Sequence, residues 1–298
     1  MTLPALTQIG LQHPRIRQLR AVLHHRGPQH RQLLVAEGLW AHRLLLELSA
    51  PIELFLWCPE AAYSDEAHLR GRQLASRADH AYRISPRVLA RITERDRPDG
   101  LISLVRLPSW DADTLPLPQR ALVLVADTVE IPGNLGTMLR TVDASGADCL
   151  LLTNRRTRLT HPLVFRGSRG MNLRVPVVEF DDPYEAVRWL RRRRFDVHLA
   201  TTGPAATPYH QLAFSPRTAL VVGNERYGVS TPWREHGFTE VTVPMLGAAD
   251  SLNVAVTASI LLYEVRSRTG FHQAPGRSWA ASSSTEVTGR SHTKPRHT

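Results

Sequence analysis

The second half of this 298-residue chain contains three loops built on glycine, asparagine and proline, each entered from a run of apolar residues. They read Ala-Asp-Thr-Val-Glu-Ile-Pro-Gly-Asn-Leu-Gly-Thr-Met-Leu-Arg over 126–140, Val-Val-Gly-Asn-Glu-Arg-Tyr-Gly-Val-Ser over 221–230, and Val-Pro-Met-Leu-Gly-Ala-Ala-Asp-Ser-Leu-Asn-Val over 243–254. A short apolar run that stops in such a loop reads as a buried strand whose end faces a ligand. Two of the three then open a helix-like segment. Three loops of this kind imply neighbouring strands and one shared cleft.

The rest of that half agrees. Strand-like segments at 121–126, 149–152, 175–178, 197–201, 219–222 and 240–243 alternate with helix-like segments at 135–144, 184–193 and 252–266. This order predicts an α/β domain over 120–270 with a mostly parallel sheet covered on both faces. The last helix is apolar around most of its circumference, which predicts burial between the sheet and a partner subunit. Upstream, Ile16, Leu19, Val22 and Leu23 recur at helical spacing, and apolar runs at 33–35, 52–57, 80–84 and 101–105 read as strands of a small α/β domain over 13–106. Three prolines within 107–119 predict a linker, residues 1–12 a flexible arm, and the Ser-, Thr- and His-rich stretch 271–298 a disordered tail.

Composition narrows the function. Hydrophobic residues make up 42% and charged residues 21%, as in a globular protein. No apolar stretch is long enough to span a bilayer and no leader pattern opens the chain, so a cytoplasmic location is expected. Cys58 and Cys149 stand alone and no two histidines are spaced His-x-x-x-His, so no metal centre is expected. Lys294 is the only lysine, which excludes a phosphate-binding Gly-Lys-Ser/Thr loop, and no Gly-x-Gly-x-x-Gly follows a strand. The net charge of +10 favours a polyanionic partner. Arginine supplies 36 of the 37 basic residues; its planar fork suits phosphates and stacked bases, and GC-rich coding yields the same excess.

The three clusters resemble the motifs of the SpoU (TrmH-type) branch of the SPOUT RNA methyltransferases. Asn134, Gly136 and Arg140 match the first motif, Gly223, Asn224, Glu225 and Gly228 the second, and Pro244, Met245, Ser251, Leu252, Asn253 and Val254 the third. Ile131 stands where the family usually has Asp. The resemblance implies a SPOUT fold with a C-terminal trefoil knot, a homodimer, and S-adenosylmethionine-dependent methylation of an RNA ribose 2′-hydroxyl, with 23S rRNA the expected substrate. Pro14, Ile16, Arg17, Glu37 and Gly38 resemble the opening of the L30e-like substrate-binding domain often fused to this family, with His13 in place of the usual Asn. A tRNA 2′-O-methyltransferase and a non-catalytic RNA-binding protein on the same scaffold stay open as alternatives.

Carried onto this sequence, the resemblance makes Arg140, Asn134, Glu225, Ser251 and Asn253 the catalytic set, with Glu225 orienting Arg140. Donor contacts are expected from Thr201, Thr202, Gly203, Val222, Gly223, Asn224, Val243, Met245, Ser251 and Leu252. RNA contacts are expected from Arg15, Arg17, Arg31, Arg140, Arg166, Ser168 and Arg169. Read locally, Asn134 sits where a helix N-cap belongs, Gly133 and Gly136 admit a ligand close to the backbone, and Asp250 or Ser251 caps the last helix. The run Arg191–Arg194 reads as a solvated helix end.

Overall fold

A computed structural model describes residues 6–26, 32–93 and 95–270. In chain order the first unit comprises α1 (Pro14–Leu23), β1 (Leu33–Glu37), α2 (Leu39–Glu47), β2 (Ile52–Trp57), α3 (Asp65–Ala75), β3 (Ala81–Arg83), α4 (Pro86–Leu89) and β4 (Leu101–Arg106). Its sheet runs β1-β4-β2-β3, antiparallel except for the β2–β3 pair. The described part of the expected arm is held down: Ile9 is buried, and Ile9 N donates to the Arg83 carbonyl at 3.0 Å. An apolar residue at a sheet edge gains more from burial than a free arm gains in entropy.

The second unit comprises β5 (Ala121–Asp127), α5 (Pro132–Ala144), β6 (Cys149–Thr153), α6 (Pro162–Gly167), β7 (Val177–Phe180), α7 (Pro183–Arg192), β8 (Asp196–Ala200), β9 (Thr207–Pro208), β10 (Arg217–Val222), α8 (Thr231–Arg234), β11 (Thr239–Thr242) and α9 (Val254–Thr269). Its seven strands run β7-β6-β5-β10-β8-β11-β9, and every pair is parallel. All strand C-termini therefore lie along one edge. The chain moves outward from β5 through β6 to β7, then crosses to β8 and β9 on the other side before β10 inserts between β5 and β8. The reversal lies between β5 and β10, where an open parallel sheet splays its loops and makes a crevice.

Both faces of this sheet are covered. Leu122, Leu124 and Ala126 of β5 face α5 and α9, whereas Ala121, Val123 and Val125 face α7. Strands that alternate between two dry layers read as continuous apolar runs, which is why these were recognisable. The segment 107–119 is more than a tether. Leu115 is buried, Trp189 Nε1 donates to the Ala112 carbonyl at 2.9 Å, and Arg193 reaches the Ala112 and Asp113 carbonyls at 2.8 and 2.9 Å. Arg193, which ends α7, thus grips this strap instead of facing solvent alone.

α6 joins the two units. Phe165 is buried among Leu34, Leu45 and Val105 of the first unit, and its ring stacks on Trp40 at 5.2 Å. No helix among the described residues is long and apolar enough to cross a membrane.

His42, fully buried in α2, places Nδ1 2.8 Å from the Gly38 carbonyl and Nε2 3.0 Å from Ser103 Oγ. A neutral ring satisfies both, donating to the carbonyl and accepting from the hydroxyl. Burial lowers its pKa from 6.5 to about 4. The unfolded chain therefore binds a proton near pH 6.5 that the folded chain refuses until near pH 4. Stability is complete above the upper value and drains as pH falls toward the lower one, by up to about 3 kcal/mol. Urea titrations between pH 7 and 4 should show this slope, and His42→Gln, which keeps a donor and an acceptor without titrating, should flatten it.

Candidate active site

β5 ends in Asp127, whose carboxylate is fully buried. It accepts from Thr153 Oγ1 at 2.8 Å, Asn154 Nδ2 at 3.0 Å and the Ser230 backbone N–H at 2.8 Å. Three donors satisfy a charge that burial alone would make costly. The loops after β5, β6 and β10 are thereby fixed to one point.

The loop after β10 is a tight turn. Asn224 and Gly228 exchange backbone hydrogen bonds, and Asn224 Oδ1 accepts from the Arg226 and Tyr227 N–H groups at 2.8 and 3.1 Å. Its Nδ2 donates to the Thr128 carbonyl at 3.1 Å. The Asn224 side chain is thus a brace between two loops. Gly228 takes a positive φ of 70°, and a Cβ on Gly223 would run into the Gly228 carbonyl and the Val229 nitrogen. Glu225, Arg226 and Tyr227 project from this turn into solvent at the cleft.

α5 starts at Pro132, so Asn134 is its third residue and Ile131 occupies the N-cap position. Proline at the first helical position costs no hydrogen bond, so the helix begins three residues earlier than the asparagine implied. Asn134 is buried and donates through Nδ2 to Glu225 Oε1 while accepting from Asn253 Nδ2 at 3.1 Å. Asn253 Oδ1 accepts from Ala255 N at 2.9 Å, which makes Asn253, and neither Asp250 nor Ser251, the N-cap of α9. Each amide therefore has one permitted orientation. The chain Asn253–Asn134–Glu225 joins all three motifs.

Arg140 lies farther along α5, is exposed, and has no hydrogen-bond or ion-pair partner among the described residues. The expected pairing with Glu225 is absent; that carboxylate accepts from Asn134 instead. Gly136 serves packing, because a Cβ there would meet Ser168 N and the Val164 carbonyl of α6 at 3.0 Å. Of the two, Gly133, with nothing within 4 Å, keeps open space.

A cleft of about 360 Å³ opens beside this network. Of the residues expected to touch a donor, Thr201, Thr202, Val222, Gly223, Asn224, Val243, Met245, Ser251 and Leu252 line it, as does Glu225. Gly203 does not; its N–H bonds to Thr201 Oγ1 at 3.2 Å. Ser251, Leu252 and Asn253 are exposed rather than sealed in. Tyr227, Arg226 and Arg234 also line the cleft and were missed, since they occupy the variable positions of Gly-Asn-Glu-x-x-Gly or follow it.

The residues expected to hold RNA scatter. Arg17 is exposed on α1, and partly buried Arg15 donates to Gln18 Oε1 at 2.9 Å. Arg31 lies outside the described residues. Arg166 and Arg169 are exposed where the two units meet, the Arg169 guanidinium 4.6 Å from the centre of the Trp40 ring. Ser168 is a correction: it is fully buried and its hydroxyl donates to the Phe165 carbonyl at 3.2 Å, so it packs the junction and offers RNA nothing.

The SpoU rRNA Methylase family model matches residues 121–263. The chain is 34% identical to the 23S rRNA (guanosine(2553)-2′-O)-methyltransferase RlmP of Bacillus subtilis, over 62% of this chain and 72% of that one. It is 29% identical to the 23S rRNA (uridine(2479)-2′-O)-methyltransferase of Streptomyces viridochromogenes, over 89% and 94% of the two chains. The crystal structure of the SpoU methyltransferase AviRb from Streptomyces viridochromogenes in complex with AdoMet aligns with a TM-score of 0.75 at 26% identity, covering 88% of this chain and 100% of that one. The chain belongs to the SpoU family of RNA methyltransferases.

Because the Gly223 site has no room for a methyl group, Gly223→Ala must displace the 224–228 turn. The expected loss is about 1–3 kcal/mol of stability, as for other overpacked sites. Thermal unfolding checks it, and the Asn134–Glu225 contact should break in the same variant.

Proposed function

We propose that this protein transfers a methyl group from S-adenosylmethionine to a ribose 2′-hydroxyl of 23S rRNA. The observation that carries the reading is the Asn253–Asn134–Glu225 chain, which joins three distant motifs at the lip of one cleft. The cleft suits the donor. Its volume falls within the range of about 300–1,000 Å³ of small-molecule sites. Val222, Val243 and Leu252 offer apolar contact for a planar base, and Gly223 and Met245 also line the cleft, where their backbone would hydrogen-bond its edge. Bound there, the donor supplies an electrophilic sulfonium methyl.

The chain's own residues then have to present and deprotonate a weak nucleophile. Arg140 stays protonated, as guanidinium does, and therefore acts by holding the RNA phosphate and ribose. The hydroxyl proton passes to that phosphate or to water as the oxygen–carbon bond forms and the carbon–sulfur bond breaks. Glu225, held by Asn134, fixes the edge of the cleft against which the ribose settles. With no partner among the described residues, Arg140 keeps its whole fork for the substrate.

The same reading makes the first unit an L30e-like substrate domain, threads the second as the family's trefoil, and places the enzyme in the cytoplasm with its rRNA. It also pairs two copies. α9 buries Ala255, Ala258, Leu262 and Val265 against the sheet yet leaves Val256 and Tyr263 about half exposed on the opposite side, a surface suited to a second subunit.

Arg140→Ala should lower methyl transfer to 23S rRNA at least about a hundredfold while leaving donor binding by calorimetry near the wild-type level. Arg140→Lys should recover little, because an ammonium cannot reproduce the fork. Equal loss of donor binding, or methylation appearing only on tRNA in a 2′-O-methyl map, would overturn the assignment.

A further inference from the structure

A second hollow, of about 280 Å³, lies away from the cleft at the junction of the two units. Leu23, Val35, Trp40, Pro162 and Phe165 form its apolar lining. Trp40 is set before any ligand arrives, stacked by Phe165 at an interplanar angle of 27° and approached by the Arg169 guanidinium. Three charged side chains complete the lining: Glu37, Arg95 and Arg166.

Their partners define the local charge. Glu37 ends β1, and its carboxylate accepts from the Thr93 hydroxyl. Arg95 Nη1 reaches the Glu37 carbonyl at 3.4 Å and lies 3.7 Å from Asp99. Asp99 is 1% exposed; its Oδ2 accepts from Leu39 N at 2.6 Å, and its Oδ1 has no partner among the described residues. Arg166 stands exposed at the rim. The hollow thus offers an apolar lining, one carboxylate and two guanidinium groups.

We propose that this hollow is a second RNA site, taking one splayed-out nucleotide with its base against the apolar lining and its phosphate on Arg166. The inference rests on the RNA-directed reading above. An apolar lining takes up a base, and guanidinium groups match the phosphate beside it. The carboxylate selects a base that presents N–H donors, and guanine alone offers a ring N–H and an amino group side by side. The hollow holds one nucleotide and no duplex, so its target is a single-stranded segment. Both units build the site, so a nucleotide bound there fixes the distance between that base and the ribose in the cleft.

Fluorescence anisotropy with labelled UUGUU and UUUUU oligonucleotides tests this on the full chain. Wild-type protein should bind UUGUU about tenfold tighter, as one well-placed base contact allows. Val35→Phe, which fills the hollow, and Arg166→Ala, which removes the phosphate contact, should each abolish the difference in protein that circular dichroism shows to be folded. Equal binding of the two oligonucleotides, or a preference that survives in the variants that fold, overturns the proposal. Competition by GMP as strong as by UUGUU also overturns it, since the occupant would then be a free nucleotide. Calorimetry with S-adenosylmethionine on wild-type protein separates the readings: absent donor binding with an intact UUGUU preference would count against the proposed reaction and leave the second site standing.

Discussion

The Asp127 carboxyl group has no access to solvent and stands at the point where β5 meets its loop. Such a group is tolerated only when surrounding donors replace its water, and here the donors come from two segments: Thr153 and Asn154 at the end of β6, and Ser230 after β10. Two of the neighbouring backbones are turned to positive φ, 56° at Thr128 and 49° at Asn154, conformations that non-glycine residues adopt at a cost. Asparagine accepts that conformation more readily than most residues, and its amide then reaches the carboxylate. Around this anchor the other contacts follow: Thr128 presents its carbonyl to Asn224, Asn224 shapes the 224–228 turn, and the turn delivers Glu225 to Asn134.

The division between what was legible and what was not follows the range of the interactions. Strands such as β5 and β10 are dry on both faces and so announce themselves as unbroken apolar runs. The three clusters follow β5, β10 and β11, and the Asn253–Asn134–Glu225 contacts join them. α3 gave a weak signal because only Ala67, Gly71 and Leu74 of it are buried, and its clearest mark is the Ser64 cap, 3.2 Å from Ala67 N. α6 spans six residues, too few for a helical period to show.

The candidate site shows the same limit. Asparagine before an apolar helix reads locally as a cap, and at 253 that is what it does, while also reaching Asn134. At 134 the preceding proline takes the first helical position, which turns the same residue type inward. Which acceptor Asn134 finds depends on a turn 91 residues away, and no local pattern encodes it. Ser168 was misread for a similar reason. Its neighbours Arg166 and Arg169 are exposed, but its own environment is set by helix packing against Gly136.

α6 bears on how this architecture tolerates recombination. By chain order it belongs with the parallel sheet, yet Phe165 completes the other hydrophobic core, and Gly170, at a φ of 79°, lies so close to Leu44 that a side chain there would collide with it. A chimera cut between the two sheets would leave one half with a hole and the other with an uncovered aromatic ring. Exchange of the amino-terminal half between relatives is viable only if the α6 segment travels with it, so the unit of inheritance here is discontinuous along the chain.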